Sequence, residues 1–328
     1  MSRITTTEAG LADVPLDWKE RIVSALPLVG LLILVSVVAV NQPNFLTLSN
    51  VRGLLESMAP ILLLALGQTF VILTGGIDLS FAGTASFGTV LLALWIPEFG
   101  VAGVFAMTAA LTLVGFINGF VIAKTQIPSF IATLGSLAIY SGFGLAISGA
   151  SNIRISKGYE VIAWITDVRI AGLTLSSLLV ILIAVLIATV MKVLARGKSL
   201  FAIGLAEQAV LMSGGSTVRI RILAFTLSGL FSGLAAIMLA ASQHSGGPTL
   251  AHTLLLPAIA AVIVGGTAIT GGVGGAMRTV IGALIIVVLR VGLTAVGVDP
   301  SFEQIVYGTV IIAAVVLTID RSRLGVVK

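Results

Sequence analysis

Residues 173–194 read LTLSSLLVILIAVLIATVMKVL, with Lys192 as the one charge among them. As a helix, such a run crosses the ~30 Å hydrocarbon core of a bilayer, which takes about 20 apolar residues. Two further stretches have the same character: 54–74 (LLESMAPILLLALGQTFVILT) and 275–296 (GAMRTVIGALIIVVLRVGLTAV). The rest of the chain follows suit. Hydrophobic residues make up 58% of the 328 and charged residues only 9%, against roughly 25% charged in a soluble domain. The expected fold class is all-α, a polytopic membrane protein.

Hydropathy places ten candidate spans at 22–40, 54–74, 79–96, 99–123, 128–148, 172–194, 220–241, 254–270, 275–296 and 302–319. The third and eighth are short enough to be broken or re-entrant. Residues 1–21 are polar and mixed in charge, unlike a signal peptide with its early apolar core. They read as a cytoplasmic tail before a transmembrane domain at 22–319, and 320–328 as a second cytoplasmic tail. This orientation brings most of the 18 basic residues to the cytoplasmic side, among them Lys124, Arg196, Lys198, Arg219, Arg221 and Arg278. Arg52, Arg154, Lys157 and Arg169 fall outside. The bias follows the positive-inside rule and accounts for a pI near 9.9 without a nucleic-acid partner.

The residue inventory excludes several chemistries. There is no cysteine, and the two histidines, His244 and His252, stand eight positions apart without clustered carboxylates. No metal site, cofactor or catalytic centre is expected. Gly197-Lys198-Ser199 imitates the end of a phosphate-binding loop, but that motif needs a glycine where Lys192 stands. The chain carries no ATPase of its own.

Glycine occurs 37 times, often at four-residue spacing as in Gly115/Gly119, Gly229/Gly233 and Gly271/Gly275. In lipid, small residues let helix backbones approach closely. Two segments share the wording TGG, Thr74-Gly75-Gly76 and Thr270-Gly271-Gly272, each ending a span at a tight turn. The largest external loop is 149–171, where Tyr159 and Trp164 suit an interfacial position. The only sizeable cytoplasmic loop is 195–219. Within it, Ser199–Leu211 reads as a short amphipathic helix with Phe201, Leu205 and Gln208 at helical spacing, stopped by Gly214-Gly215. Two readings of that helix stay open, one lying on the membrane surface and one docking to a cytoplasmic partner.

Charges within the spans are few. Asp78 ends a span, where solvation or a helix-terminal role is expected. Arg290 lies within a span, where an unpaired arginine costs roughly 2.5–3.5 kcal/mol on insertion scales. It should snorkel or pair with Asp299 or Glu303. Gln68, Thr69, Asn118, Ser136, Tyr140 and Arg290 are the candidates for lining a hydrophilic pathway, although a neighbouring helix could satisfy each of them.

Several stretches carry a family resemblance. They are Asn44-Phe45-Leu46-Thr47, then Gly67-Gln68-Thr69-Phe70-Val71-Ile72-Leu73-Thr74-Gly75-Gly76-Ile77-Asp78-Leu79-Ser80, then Asn118-Gly119 and Pro128-Ser129-Phe130-Ile131-Ala132-Thr133-Leu134-Gly135. Ala258-Ile259-Ala260-Ala261-Val262, Gly265-Gly266-Thr267, Gly292-Leu293 and Gly297-Val298 follow. With these the chain resembles the permease subunits of bacterial sugar ABC importers, the ribose/xylose/arabinose/galactose group, across residues ~44 to 319. Ala202-Ile203-Gly204, Glu207, Ala209, Ser213 and Gly214 are similar to the family's coupling-helix segment. The chain departs from the pattern at Ala206, Val210, Leu211 and Gly215, and at Leu255-Leu256-Pro257, where many relatives carry acidic residues.

The resemblance implies a multi-pass protein of the bacterial inner membrane that forms a pathway for a small neutral sugar. Its implied partners are an ABC ATPase subunit inside, a periplasmic sugar-binding protein outside, and a second permease copy or paralogue, all within membrane lipid. Coupling to the ATPase would fall on Gly204, Glu207, Ala209, Ser213 and Gly214. The rival expectation is a secondary transporter or facilitator working alone, for which Glu56, Asp78 and Glu207 are the available carboxylates.

Overall fold

The structure, a computed structural model, describes residues 18–318, with side chains described for 25–316. The expected tail at 320–328 lies outside the described residues, as does the tail at 1–21 up to residue 17. In chain order the helices are α1 (Trp18–Asn41), α2 (Leu48–Leu73), α3 (Ser80–Phe99), α4 (Val101–Thr125), α5 (Ser129–Ser148), α6 (Glu160–Asp167), α7 (Leu175–Val193), α8 (Ala195–Met212), α9 (Thr217–Gln243), α10 (Leu255–Val264), α11 (Ala276–Ala295) and α12 (Glu303–Thr318). Four two-residue strands pair antiparallel. β1 (Ile153–Arg154) pairs with β4 (Ser245–Gly246), and β2 (Arg169–Ile170) with β3 (Leu173–Thr174).

Among the described residues seven helices are long and apolar enough to cross a bilayer: α2, α3, α4, α5, α7, α9 and α11. Three shorter apolar helices, Ala25–Asn41, His252–Val264 and Pro300–Val316, occupy the first, eighth and tenth expected spans. The third span is a full helix of 20 residues. The eighth is short: α10 has 10 residues, about 15 Å at the helical rise and so about half of the ~30 Å core. The irregular segment 265–275 completes its course to α11.

Local chemistry sets the turns. Pro97 closes α3, and Gly100 at φ +56° turns the chain straight into α4. Gln126 ends α4 in the left-handed region, and Pro128 directs the chain into α5. The Ala171-Gly172 turn between β2 and β3 has both residues at positive φ, the geometry of a tight hairpin.

Helix α2 is the axis of the bundle. It is buried without a break from Ile61 to Leu73, as expected of a helix apolar all round. Helices α7, α9, α10 and α11 surround it. Helices α4 and α9 cross at Gly115 and Gly229, where a Cβ on Gly115 would lie 2.9 Å from the Gly229 Cα. Two of the four-residue glycine spacings thus serve helix packing. The third does not: Gly271 and Gly275 have positive φ and belong to the irregular segment. Helix α5 is the outlier, with only 11% of its apolar window buried.

The two ends of the bundle differ. One carries α8, the α2–α3 turn and residues 265–275. The other carries α6 and the short strands, and there Tyr159 stacks on His244 at 4.2 Å and donates to the Ala241 carbonyl. Tyr159 is half-buried in this packing. Trp164 is 47% exposed.

Candidate coupling surface and translocation pathway

The two TGG segments end up side by side. The Gly272 amide donates to the Leu73 carbonyl at 2.9 Å, and a Cβ on Gly271 would lie 2.7 Å from the Gly75 nitrogen. Gly204 of α8 rests on both. A Cβ there would overlap the Leu73 carbonyl and the Gly272 amide, and a Cβ on Gly271 would lie 2.9 Å from the Gly204 Cα. Three backbones meet with no side chain between them, which only glycine permits.

Helix α8 is longer than the expected Ser199–Leu211 and is interrupted at Ala206, whose φ −158° and ψ 80° are not helical. Its packed face is Gly197, Leu200 and Ile203. Of the residues at the expected spacing, Phe201 is part-buried against the bundle, and Leu205 and Gln208 are exposed. Beyond the break, Glu207 accepts from Arg221 of α9 at 2.7 Å. Ala209, Ser213 and Gly214 are exposed, and Gly214 at φ +77° stops the helix as expected.

A buried polar network starts five residues past Leu73. Asp78 is 2% exposed, so it is not solvated as one of the two expectations held. Its Oδ1 accepts from the Ser80 amide at 2.8 Å and the Ser80 hydroxyl at 2.6 Å, and its Oδ2 from the Ser228 hydroxyl at 2.7 Å. Asn118 donates to Ser80 at 3.0 Å, and Ser136 donates to Asn118 at 2.7 Å. The amides of Ile77 and Leu79 donate to Ser129 and Thr133 of α5. The network ties the α2–α3 turn to α4, α5 and α9. Among the described residues no basic side chain forms an ion pair with Asp78.

Of the pathway candidates, Asn118 and Ser136 thus come together. Thr69 bonds Thr279 of α11 at 2.7 Å. Gln68 is fully buried in α2, and both its side-chain polar atoms lack a hydrogen-bond partner, as does the Thr84 hydroxyl. Tyr140 is half-buried and stacks on Phe87. Arg290 lies apart from these, at the opposite end of the bundle. There it pairs with Glu303, its Nε 3.4 Å from Oε2, the second of its two expected partners.

Arg290 borders a cavity of about 580 Å³ whose lining also includes Glu56, Asp167, Arg169, Gln243 and His244. Glu56 pairs with Arg169 at 3.5 Å. Sequence reasoning did not single out this cavity, nor Ser80, Ser129, Thr133, Ser228 and Thr279. The one available signal for Ser228 was the Ser-Gly repeat at Ser228-Gly229 and Ser232-Gly233, polar groups in an apolar helix that must find partners in lipid.

The profile described as "branched-chain amino acid transport system / permease component" matches residues 50–315. The chain belongs to this permease family. The permease is 35% identical over 305 residues to the ribose import permease protein RbsC of Bacillus subtilis strain 168, covering 90% of this chain and 92% of the relative. To RbsC of Escherichia coli strain K12 it is 34% identical over 296 residues, with coverage of 88% and 92%. The galactose/methyl galactoside import permease protein MglC of Haemophilus influenzae is 31% identical over 307 residues, with coverage of 88% and 91%. No solved structure matches the permease significantly.

Proposed function

We propose that this chain is the membrane-spanning permease subunit of an ATP-driven importer, forming the path of a small neutral sugar through the bacterial inner membrane. The α8 end faces the cytoplasm, in keeping with Lys124, Arg196, Lys198, Arg219 and Arg278 near it. The observation that carries this reading is the two-sidedness of α8. One side rests on the TGG turns through Gly204. The other leaves Leu205, Leu211 and Met212 exposed, Met212 by 89%. An apolar helix tip standing outside the bundle suits insertion into a groove of a partner, here an ABC ATPase subunit.

The polar cavity at the far end is where a periplasmic sugar-binding protein delivers its cargo. The pairing of Glu56 with Arg169 and of Arg290 with Glu303 leaves a hydrogen-bonding lining without a strong net field, which suits a neutral polyol. Deeper in, Gln68 and Thr84 hold hydrogen-bonding capacity that a solute or water can take up. Thr69, Asn118, Ser136 and Tyr140 belong to the same polar interior. The exposure of α5 supports pairing with a second permease copy or a paralogue, since its outer Gly135 and Gly142 have open space beyond them.

The engagement of all three carboxylates of the rival reading favours external energy over ion coupling. Glu56 is held by Arg169, Asp78 by Ser80 and Ser228, and Glu207 by Arg221. The test is mass spectrometry of what copurifies with the chain from its native membranes, followed by sugar uptake in proteoliposomes. An ATPase and a binding protein in the complex, with uptake that needs ATP, are expected. Uptake by the chain alone would overturn the reading in favour of a secondary transporter.

A further inference from the structure

The short α10 leaves room beneath it. A cavity of about 590 Å³ lies between α1, α11, α12 and the segment after α10, bordered by Gly30, Val37, Gly265, Arg278, Leu289 and Val310 among others. Among the described residues its walls are apolar except for Arg278, and none of them that line it is acidic. The cause is local: where an ordinary span would continue as helix with side chains, Gly265 and Gly266 present bare backbone.

Arg278 stands where this cleft begins. Its guanidinium donates to the Gly266 carbonyl at 3.0 Å, and among the described residues it has no ion-pair partner. It also borders a second cavity of about 230 Å³ on the side of α7, which Lys192 lines and which has no acidic lining among the described residues. From Arg278 to Leu289, eleven positions along α11, the cleft runs roughly 16 Å at the helical rise. One leaflet of the ~30 Å core is about as deep.

We propose that this cleft is a site for one anionic phospholipid, with an acyl chain along α11 between α1 and α12 and the phosphate on Arg278. Basic pockets between membrane helices bind anionic headgroups in this way. A zwitterionic lipid would bring its own cation to a site whose charge is already positive. A free phosphate would leave the apolar cleft unfilled. The proposal needs only that the bundle lies in a bilayer, so it stands or falls separately from the transport reading.

The experiment is native mass spectrometry of the delipidated protein titrated with phosphatidylglycerol or phosphatidylcholine, supported by thermal unfolding at each lipid ratio. Wild type is expected to retain one phosphatidylglycerol with about fivefold preference, the factor that roughly one basic side chain contributes near an anionic surface. Arg278→Gln should lose the preference, and Arg278→Lys should keep it. Gly30→Leu tests the cleft without touching the charge, because an added Cβ there meets no atom within 4 Å. It should lower retention of either lipid while the protein still folds. Equal retention of the two lipids by wild type, or an unaltered preference in Arg278→Gln, overturns the proposal. So does undiminished retention in Gly30→Leu.

Discussion

Ser228 donates its hydroxyl to Asp78 across 2.7 Å although the two stand 150 residues apart. That bond joins the middle of α9 to the turn between α2 and α3, where Ser80 fills the other carboxylate oxygen. The buried carboxylate is satisfied by neutral donors, so each donor matters.

Ser228→Ala should therefore destabilise the protein by about 1–3 kcal/mol, the cost of leaving a buried acceptor short of a partner. Asp78→Ala should cost at least as much, and the double variant less than the sum of the two, because the residues share one bond. Thermal unfolding of the three variants in mild detergent checks this. Strict additivity would mean that the bond contributes nothing.

Gly204 gives a prediction about coupling instead of stability. Gly204→Val must lift α8 from Leu73 and Gly272, while the exposed tip at Leu211 and Met212 keeps its chemistry. The ATPase should still copurify, and the sugar moved per ATP hydrolysed should fall, corresponding to roughly 0.5–2 kcal/mol of lost coupling. Proteoliposomes measured for uptake and phosphate release together give that ratio. An unchanged ratio removes Gly204 from the coupling path.

How much of this was readable in the sequence depends on distance along the chain. The spans were legible because hydropathy is a local property, and the stop at Gly214 because a glycine after an apolar periodic run is a local signal. The partner of Arg290 was legible because Glu303 lies a short loop away. The seat of Gly204 was not, since it brings together residues near 73, 204 and 272, whose contact depends on how the helices are arranged. Of the two roles expected of Asp78, the helix-terminal one holds, through the Ser80 amide at the start of α3, and the solvated one fails for the same reason. A carboxylate at a span end ordinarily reaches water, but here α4, α5 and α9 close over it. The spacing of Phe201, Leu205 and Gln208 reports amphipathicity, but not the backbone contact at Gly204 that seats α8 on the bundle.

The α4–α9 crossing predicts a stability effect far from either proposed site. Gly229→Leu would drive a side chain into the Leu111 carbonyl and the Gly115 backbone. Overpacking of this kind costs about 1–3 kcal/mol or more, and a backbone contact has less freedom to yield than a side chain. Gly233→Ala, whose Cβ would meet Thr108 at an ordinary 3.4 Å, should be tolerated. Comparing the unfolding temperatures of the two variants distinguishes the roles of these neighbouring glycines.

Glu207 and Arg221 are both part-exposed, at 38% and 30% of their side-chain surface, so their ion pair should contribute under about 1 kcal/mol to stability. Its larger effect is expected in transport. Glu207→Arg should lower the coupling ratio, and adding Arg221→Glu should recover much of it. Raising salt toward 1 M, where the screening length is about 3 Å, should mimic the single variant. Failure of the exchanged pair to recover coupling would assign Glu207 to a contact with the ATPase instead of α9.

The interruption at Ala206 makes α8 a rocker with two unequal arms. The arm before it ends on the paired turns of α2 and the 265–275 segment. The arm after it is hooked to α9 through Arg221. Under the proposed coupling, a thrust delivered near the pivot would be split between the central axis of the bundle and a helix on its flank, so one stroke of a partner would turn the two parts by different amounts. A straight helix in the same place would move them together and would open nothing between them.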